Sequence, residues 1–407
     1  MYAFSKITLA LLGTVLAFTS AQGNGTLEGQ NGFGQTTYQL DPFASSDILK
    51  GKVEFNQLLP KEKPRVCHLT VPNLKRENIL KYKAGVRPFR QSGPCIQAER
   101  WKDKLIIHDY GHGGSGISLS WGSAYESLKI LKKRLNKGFD PKKKEIAIIG
   151  SGVIGLSTAH LLADKGWDVK VYASQFPPHT TSDIAPGLWN KVLVGGDQTP
   201  FQVKRLNRIV KTSLKSFQAL ADGANPEFKG VSYLDIYSFK EISPEKLSSG
   251  VFLNHAPCTC LFNMKIKKEG MYLRSLIIDT SLYIPDLYKK AKAKGVQFYR
   301  MTFKNQEDLN RLPQRIIVNC TGFGAKALFN DPELVPIAGQ LIELKPQAGL
   351  NYMLAGPSTG GMIDNYLIPL HDKLILGGSY QMGEKSDRVD FPLCQIILRQ
   401  ASQFYSR

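Results

Sequence analysis

The run Glu145-Ile-Ala-Ile-Ile-Gly150-Ser-Gly152-Val-Ile-Gly155-Leu-Ser-Thr-Ala-His-Leu-Leu-Ala163 decides the fold. A short apolar stretch, a G-x-G-x-x-G spacing and an apolar helical run follow one another, and Trp167 to Ala173 adds a second strand. In this setting Gly150 permits the tight turn, Gly152 lets backbone approach a pyrophosphate, and Gly155 permits close helix packing. Free N–H groups at the helix start, those of Val153 and Ile154 among them, then face the phosphates without help from a cationic side chain. The segment predicts a dinucleotide-binding unit of Rossmann type. One customary feature is missing. Ala173-Ser174-Gln175 carries no acid for the ribose hydroxyls, so Ser174 or Gln175 has to substitute with weaker hydrogen bonds.

Upstream, an apolar strand, Leu105-Ile-Ile-His-Asp, runs into the glycine-rich loop Tyr110-Gly-His-Gly-Gly-Ser-Gly116. Trp121, Ala124, Tyr125, Leu128, Leu131 and Leu135 then recur at spacings of three and four and mark one helix face, with Gly138 as its C-terminal cap. Downstream, Tyr272 to Lys294 reads as a helix, and Gly295 to Arg300, Arg315 to Asn319, Tyr366-Leu-Ile-Pro and Lys373-Leu-Ile-Leu-Gly read as strands. The stretch from Gly356 to Asn365 is glycine-rich and suits a lid.

With 407 residues, 42% of them hydrophobic, the chain is long enough for two or three domains and excludes collagenous, coiled-coil and wholly disordered classes. Lys6, the apolar run Ile7 to Phe18 and Thr19-Ser20-Ala21 have the form of a cleaved secretory leader, with a retained anchor as the alternative. Residues 22–63 read as an extension or linker. Export would place the chain outside the cytoplasm, where its six cysteines can pair. Cys258 and Cys260 are too close for an unstrained bond and lack metal-ligand spacing, and Cys320 reads as a buried thiol, so no metal site is expected. The sequon Asn319-Cys-Thr321 should be buried. A formal charge of +19 peaks between Lys132 and Lys144, either a solvated helix end or a surface attracted weakly to anionic cell-surface polymers. No nucleic-acid motif accompanies it.

The segment Ile146 to Trp189, ending Thr180-Thr-Ser-Asp-Ile-Ala-Pro-Gly-Leu-Trp, resembles the amino-terminal part of the D-amino-acid oxidase and D-aspartate oxidase family of flavoproteins. Val318-Asn-Cys-Thr-Gly322 and Leu376-Gly-Gly-Ser-Tyr-Gln381 resemble the same family. Tyr110 to Gly122 resembles its carboxy-terminal flavin loop, and Ala84-Gly-Val-Arg-Pro-Phe-Arg90 its substrate-arginine segment. The order is inverted: what resembles the family's carboxy-terminal portion, about Leu74 to Lys137, precedes what resembles its amino-terminal portion. That order suggests a circular permutation, with Asn136 to Lys143 bridging the old termini, or else a fragment of a tandem gene.

The resemblance implies an α/β fold, a Rossmann-type FAD-binding domain with a second, mixed-sheet substrate domain. The expected organisation is residues 64–100 in the substrate domain, 101–190 in the FAD domain, 191–309 mainly substrate domain, 310–340 FAD domain and 341–407 substrate domain. FAD would be held by Gly150, Gly152, Val153, Ile154, Gly155 and Ser174, by Thr180, Thr181 and Ser182 at phosphate or ribitol oxygens, and by Gly187 and Leu188 beside the ring. Gly113, Gly114, Ser115, Gly116, Ile117 and Ser118 would approach the pyrimidine side, where a helix start favours negative charge. His112 is either a structural ring or a flavin contact.

By the same resemblance Arg87 would clamp the carboxylate of a small amino acid and Tyr366 would donate to it, while hydride passes to flavin N5 and O2 reoxidises the flavin. Met362 and Val192 stand where the family has pocket tyrosines, and Ser379-Tyr380 where its D-aspartate branch has an arginine. These departures favour neutral or apolar D-amino acids, with 2-oxo acid, ammonia and hydrogen peroxide as products. A flavin enzyme of another small amine, such as glycine or an N-alkyl amino acid, and a non-catalytic binding protein are the alternatives, and homodimer formation stays open.

Overall fold

The computed structural model describes residues 65–190, 194–195, 199–223, 228–243, 246–247, 251–356 and 362–406. The leader and extension expected over residues 1–63 lie outside them, as do most of the glycine-rich stretch after Gly356 and the whole of Val192. In chain order the strands are β1 (Arg65–Leu69), β2 (Ile79–Arg90), β3 (Cys95–Trp101), β4 (Lys104–Tyr110), β5 (Glu145–Ile149), β6 (Asp168–Ala173), β7 (Val231–Ser238), β8 (Asn254–Phe262), β9 (Ile266–Ile278), β10 (Gln297–Arg300), β11 (Ile316–Asn319), β12 (Leu334–Leu344), β13 (Met353–Ala355), β14 (Ile363–Pro369), β15 (Leu374–Ser379) and β16 (Gln381–Met382). The longer helices are α1 (Gly116–Asn136), α2 (Val153–Asp164), α3 (Pro200–Ala221), α4 (Thr280–Ala293) and α5 (Phe391–Ser406).

A six-stranded sheet has the order β10-β6-β5-β11-β4-β3 and is parallel except for β3. Its central strands are apolar on both faces, as a sheet covered on both sides requires. Ile146, Ile148, Ile107, Ile316 and Val318 pack with Leu128 and Leu131 of α1, Leu156 of α2 and Leu287 of α4. Ala147, Ile149, Ile106 and Ile317 face the other way, toward Leu309, Leu312 and Leu328. The second sheet has ten strands in the order β1-β8-β9-β7-β13-β14-β15-β12-β16, with β2 paired along β12. Helix α5 covers one of its faces through Cys394, Ile397, Leu398 and Ala401. The α/β architecture with a second mixed sheet is therefore present.

Three expectations change. Tyr272 to Ile278 is the end of strand β9, because β7 pairs along one side of all of it, while β8 as far as Arg274 and then the Gly187–Trp189 segment supply hydrogen-bonding partners on the other. The helix starts only at Thr280, where the Asp279 carboxylate accepts the Ser281 N–H at 3.1 Å. Tyr125 is 44% exposed while Trp121, Ala124, Leu128 and Leu131 are buried, so it lies at the margin of the α1 stripe. The sheet pairings also move the expected boundaries: β3 and β10 hydrogen-bond in the six-stranded sheet and β12 in the ten-stranded one. Gly138 does close α1, with φ +87° and its N–H on Leu135 O at 2.9 Å. Cys320 and Asn319 are buried, and Cys258 Sγ lies 3.5 Å from Cys260 Sγ with both thiols free.

Helices α1 and α3 cross at Gly122, whose N–H donates to Ser213 Oγ at 2.7 Å. A Cβ on residue 122 would stand 2.1 Å from Ile209 O. Gly122→Ala must push the helices apart, and a loss of about 1–3 kcal/mol, read as a lower Tm in thermal unfolding, is expected.

Candidate active site

The C-terminal ends of β4, β5, β6 and β11 open onto one cavity of about 640 Å³, walled opposite by Ile236, Leu341, Met353 and Ile368 of the ten-stranded sheet. This is the crevice at which open α/β sheets bind ligands. The turn after β5 forms the cradle. Gly150 has φ +104°, and a Cβ there would lie 2.3 Å from Cys320 O. Gly155 does not reach the cavity wall; it packs on the turn from behind, where a Cβ would lie 2.1 Å from Gly150 O. The α2 N-terminus faces the cavity through Gly152, Val153 and Ile154, and the Val153 N–H donates to Ser182 Oγ at 3.0 Å. Thr180 donates its N–H and hydroxyl to Asp183 Oδ2 at 2.8 and 2.6 Å, which fixes the segment carrying Thr181 and Ser182. Ser174 and Gln175 line the cavity beyond β6.

From the other side the loop after β4 brings Gly113, Gly114, Gly116, Ile117 and Ser118 to the same cavity; Ser115 is buried behind it. Ser118 Oγ donates to Leu188 O at 3.3 Å and accepts the Asn190 N–H at 3.2 Å, so α1 is tied to the segment that places Gly187 and Leu188 at the wall. His112 is buried, with Nε2 2.7 Å from Ser123 Oγ, and burial holds its pKa down to about 3. Beside it stands Asp109, which the sequence reading overlooked. Its carboxyl is fully buried and lines the cavity, and burial pushes its pKa up to about 7 despite a hydrogen bond from Ser127. A cavity bordered at once by a side-chain-free turn, a helix N-terminus and the Gly113–Ser118 loop fits a flavin dinucleotide.

Arg87 and Tyr366 meet on the ten-stranded sheet. The guanidinium lies over Gly339, where a Cβ would stand 2.3 Å from Nη1, and donates to Ser379 O at 3.0 Å. Tyr366 lies against Gly377, where a Cβ would come within 2.6 Å of the hydroxyl oxygen. Burial pushes its phenol up, and the Arg87 charge opposes the rise. Two further side chains, Lys240 and Asp364, escaped the sequence reading, which named Tyr380 only as a departure from the D-aspartate branch. Tyr380 stacks on Arg87 with the guanidinium 4.8 Å from the ring centre, and its hydroxyl donates to Asp364 Oδ2 at 3.3 Å. Asp364 is in turn ion-paired with Lys240, and all three border the cavity. The pair of tyrosines two and sixteen residues beyond Asp364 gave no pattern that local spacing could reveal. Met362 is 55% exposed and does not line the cavity, so it is no pocket wall in this structure.

Gly150→Ala is expected to cost both fold and cofactor, since it adds a left-handed penalty to a backbone clash. Its measure is the flavin absorbance retained on purification together with the Tm.

Among solved structures the chain is similar to a glycine oxidase from Bacillus cereus (18% identity, TM-score 0.45, covering 63% of this chain and 77% of that one). It is also similar to an L-alpha-glycerophosphate oxidase from Mycoplasma pneumoniae with FAD bound (17%, TM-score 0.46, 64% and 78%). Curated relatives include a D-amino-acid oxidase from Streptomyces coelicolor, 26% identical over 266 residues (65% of this chain, 78% of the relative). A D-aspartate oxidase from Homo sapiens is 25% identical over 251 residues (59% and 69%). The family model described as FAD dependent oxidoreductase matches residues 145–407, more than half of the sequence. The chain belongs to that family, and its cofactor is FAD.

Proposed function

We propose that the chain is an oxidase of neutral and apolar D-amino acids that releases a 2-oxo acid, ammonia and hydrogen peroxide. The observation that carries this reading is Arg87, a half-buried guanidinium placed in the same cavity as the Gly150–Val153 turn and the Gly113–Ser118 loop. Relatives named D-amino-acid oxidase support it. FAD supplies the acceptor for the hydride that leaves the substrate α carbon. Arg87 takes the substrate carboxylate in two parallel hydrogen bonds, and the Tyr366 hydroxyl, which has no hydrogen-bond partner among the described residues, donates a third. Ile236, Leu273, Met353 and Ile368 exclude water around the substrate. The catalytic contribution of these groups is positioning. The Lys240 charge is already taken up by Asp364, which leaves it a poor partner for a second carboxylate and supports an uncharged side chain.

The inverted segment order belongs to the same proposal. The family match begins at residue 145, yet β2, β3, β4 and α1 precede it and complete both sheets and the cavity. That arrangement supports a circular permutation with Asn136 to Lys143 as the connector. The leader-like amino terminus supports secretion.

Anaerobic mixing with D- and L-amino acids while flavin absorbance is followed tests the reaction. Bleaching by D-leucine or D-methionine ahead of D-aspartate is expected; faster bleaching by D-aspartate contradicts the neutral pocket. Arg87→Leu should lower kcat/KM by roughly 30- to 3,000-fold, the equivalent of about 2–5 kcal/mol for a buried charged pair, with FAD content unchanged. Tyr366→Phe should cost less, about 1–3 kcal/mol, read in the same assay.

A further inference from the structure

Asp109 stands at the C-terminal end of β4 with 0% of its surface exposed, and it borders the cofactor cavity. Oδ2 accepts a hydrogen bond from Ser127 Oγ at 2.8 Å. Oδ1 has no hydrogen-bond partner among the described residues. It lies 3.5 Å from His112 Nε2, a nitrogen already engaged with Ser123 Oγ at 2.7 Å.

Among the described residues no cation compensates this carboxyl. On its own loop His112 is kept neutral by burial. From α1 come the hydroxyls of Ser123 and Ser127 and the acid Glu126, which disfavours a second negative charge and whose own partners are Arg205 and Arg208. From β11 and β3 come Cys320 and Cys95, two thiols that burial keeps protonated. A carboxylate so placed is desolvated and unpaired, and protonation relieves both costs. A proton on Oδ1 also turns the orphaned acceptor into a donor.

We propose that Asp109 is a neutral carboxylic acid in the FAD-loaded protein and that cofactor binding is coupled to uptake of its proton. FAD brings a doubly negative diphosphate into the cavity and displaces water from it; both changes favour the protonated acid. Before FAD enters, the group titrates near neutrality. Its folded value then rises on binding, so affinity is independent of pH below about 7 and falls up to tenfold per unit above it, until the loaded value is reached. Asp109 is thereby a proton-linked group of the cofactor cavity, and no step of the oxidation is assigned to it.

The test titrates FAD into the full-length chain stripped of flavin, between about pH 6 and pH 9, following flavin fluorescence. Calorimetry at pH 8 in two buffers of different ionisation enthalpy counts protons. The expected result is a Kd that is flat at low pH and rises toward tenfold per unit above about pH 7, with up to one proton taken up at pH 8. Asp109→Asn, which mimics the neutral acid, should bind with the low-pH affinity at every pH and take up no proton. A flat wild-type profile without proton uptake overturns the proposal, as does an Asn variant that keeps the slope. If that variant does not fold by circular dichroism, the wild-type proton count decides. Binding of FAD at any pH upholds the family assignment separately, because the proposal concerns only the slope.

Discussion

Three backbone segments meet at the turn after β5 with no side chain between them. The Gly150 carbonyl occupies the space a Gly155 Cβ would need, and the Cys320 carbonyl occupies the space a Gly150 Cβ would need. This contact holds the start of α2 against the end of β11 and thereby fixes where the Val153 amide points. The β4 loop registers on the same strand, since Ile316 to Asn319 pair with Leu105 to His108. The cofactor cradle, the loop that faces it and the sheet beneath them share one reference point, and a displacement at Gly150 is felt at each.

Charge is divided unequally around the cavity. The side nearest β4 holds Asp109 and His112 with no cation paired to either among the described residues, and burial suppresses the ionised form of each. The ten-stranded sheet holds Arg87, Lys240 and Asp364 in one connected arrangement, with Tyr380 stacked on the first and hydrogen-bonded to the last. Asp364 pairs with Lys240 there, and the Arg87 guanidinium stands beside Tyr366. A zwitterion whose carboxylate meets that charge finds an apolar wall for the rest of its body.

What the sequence made legible was local. The glycine spacing, its flanking strands and the α1 stripe rest on periodicities of two and 3.6, and those survive in the structure. Segments whose state depends on distant partners were misread: Tyr272 to Ile278 has enough apolar residues for either state, and only β7, the start of β8 and the Gly187–Trp189 segment alongside make it a strand. The candidate site shows the same divide. Of the residues singled out from the sequence, those within glycine-rich motifs line the cavity, apart from Gly155 and Ser115. Lys240 follows β7, Asp364 lies in β14 and Tyr380 follows β15, and no spacing along the chain announces that they will touch. Met362 shows the converse, a position inferred from correspondence alone whose side chain points outward.

The order of the six-stranded sheet carries a consequence for biosynthesis. Strands β4 and β5 are made early, but neither pairs with the other; β11 lies between them. A ribosome delivers Ile316–Asn319 roughly two hundred residues after β4, so the hairpin of β3 and β4 and the unit β5-α2-β6 each emerge with an apolar edge that nothing yet covers. Closure of so long a loop is slow, and nascent chains with open parallel edges are prone to associate. The six-stranded sheet is thus completed by its inner strand β11 last, and up to that moment its two halves carry open apolar edges.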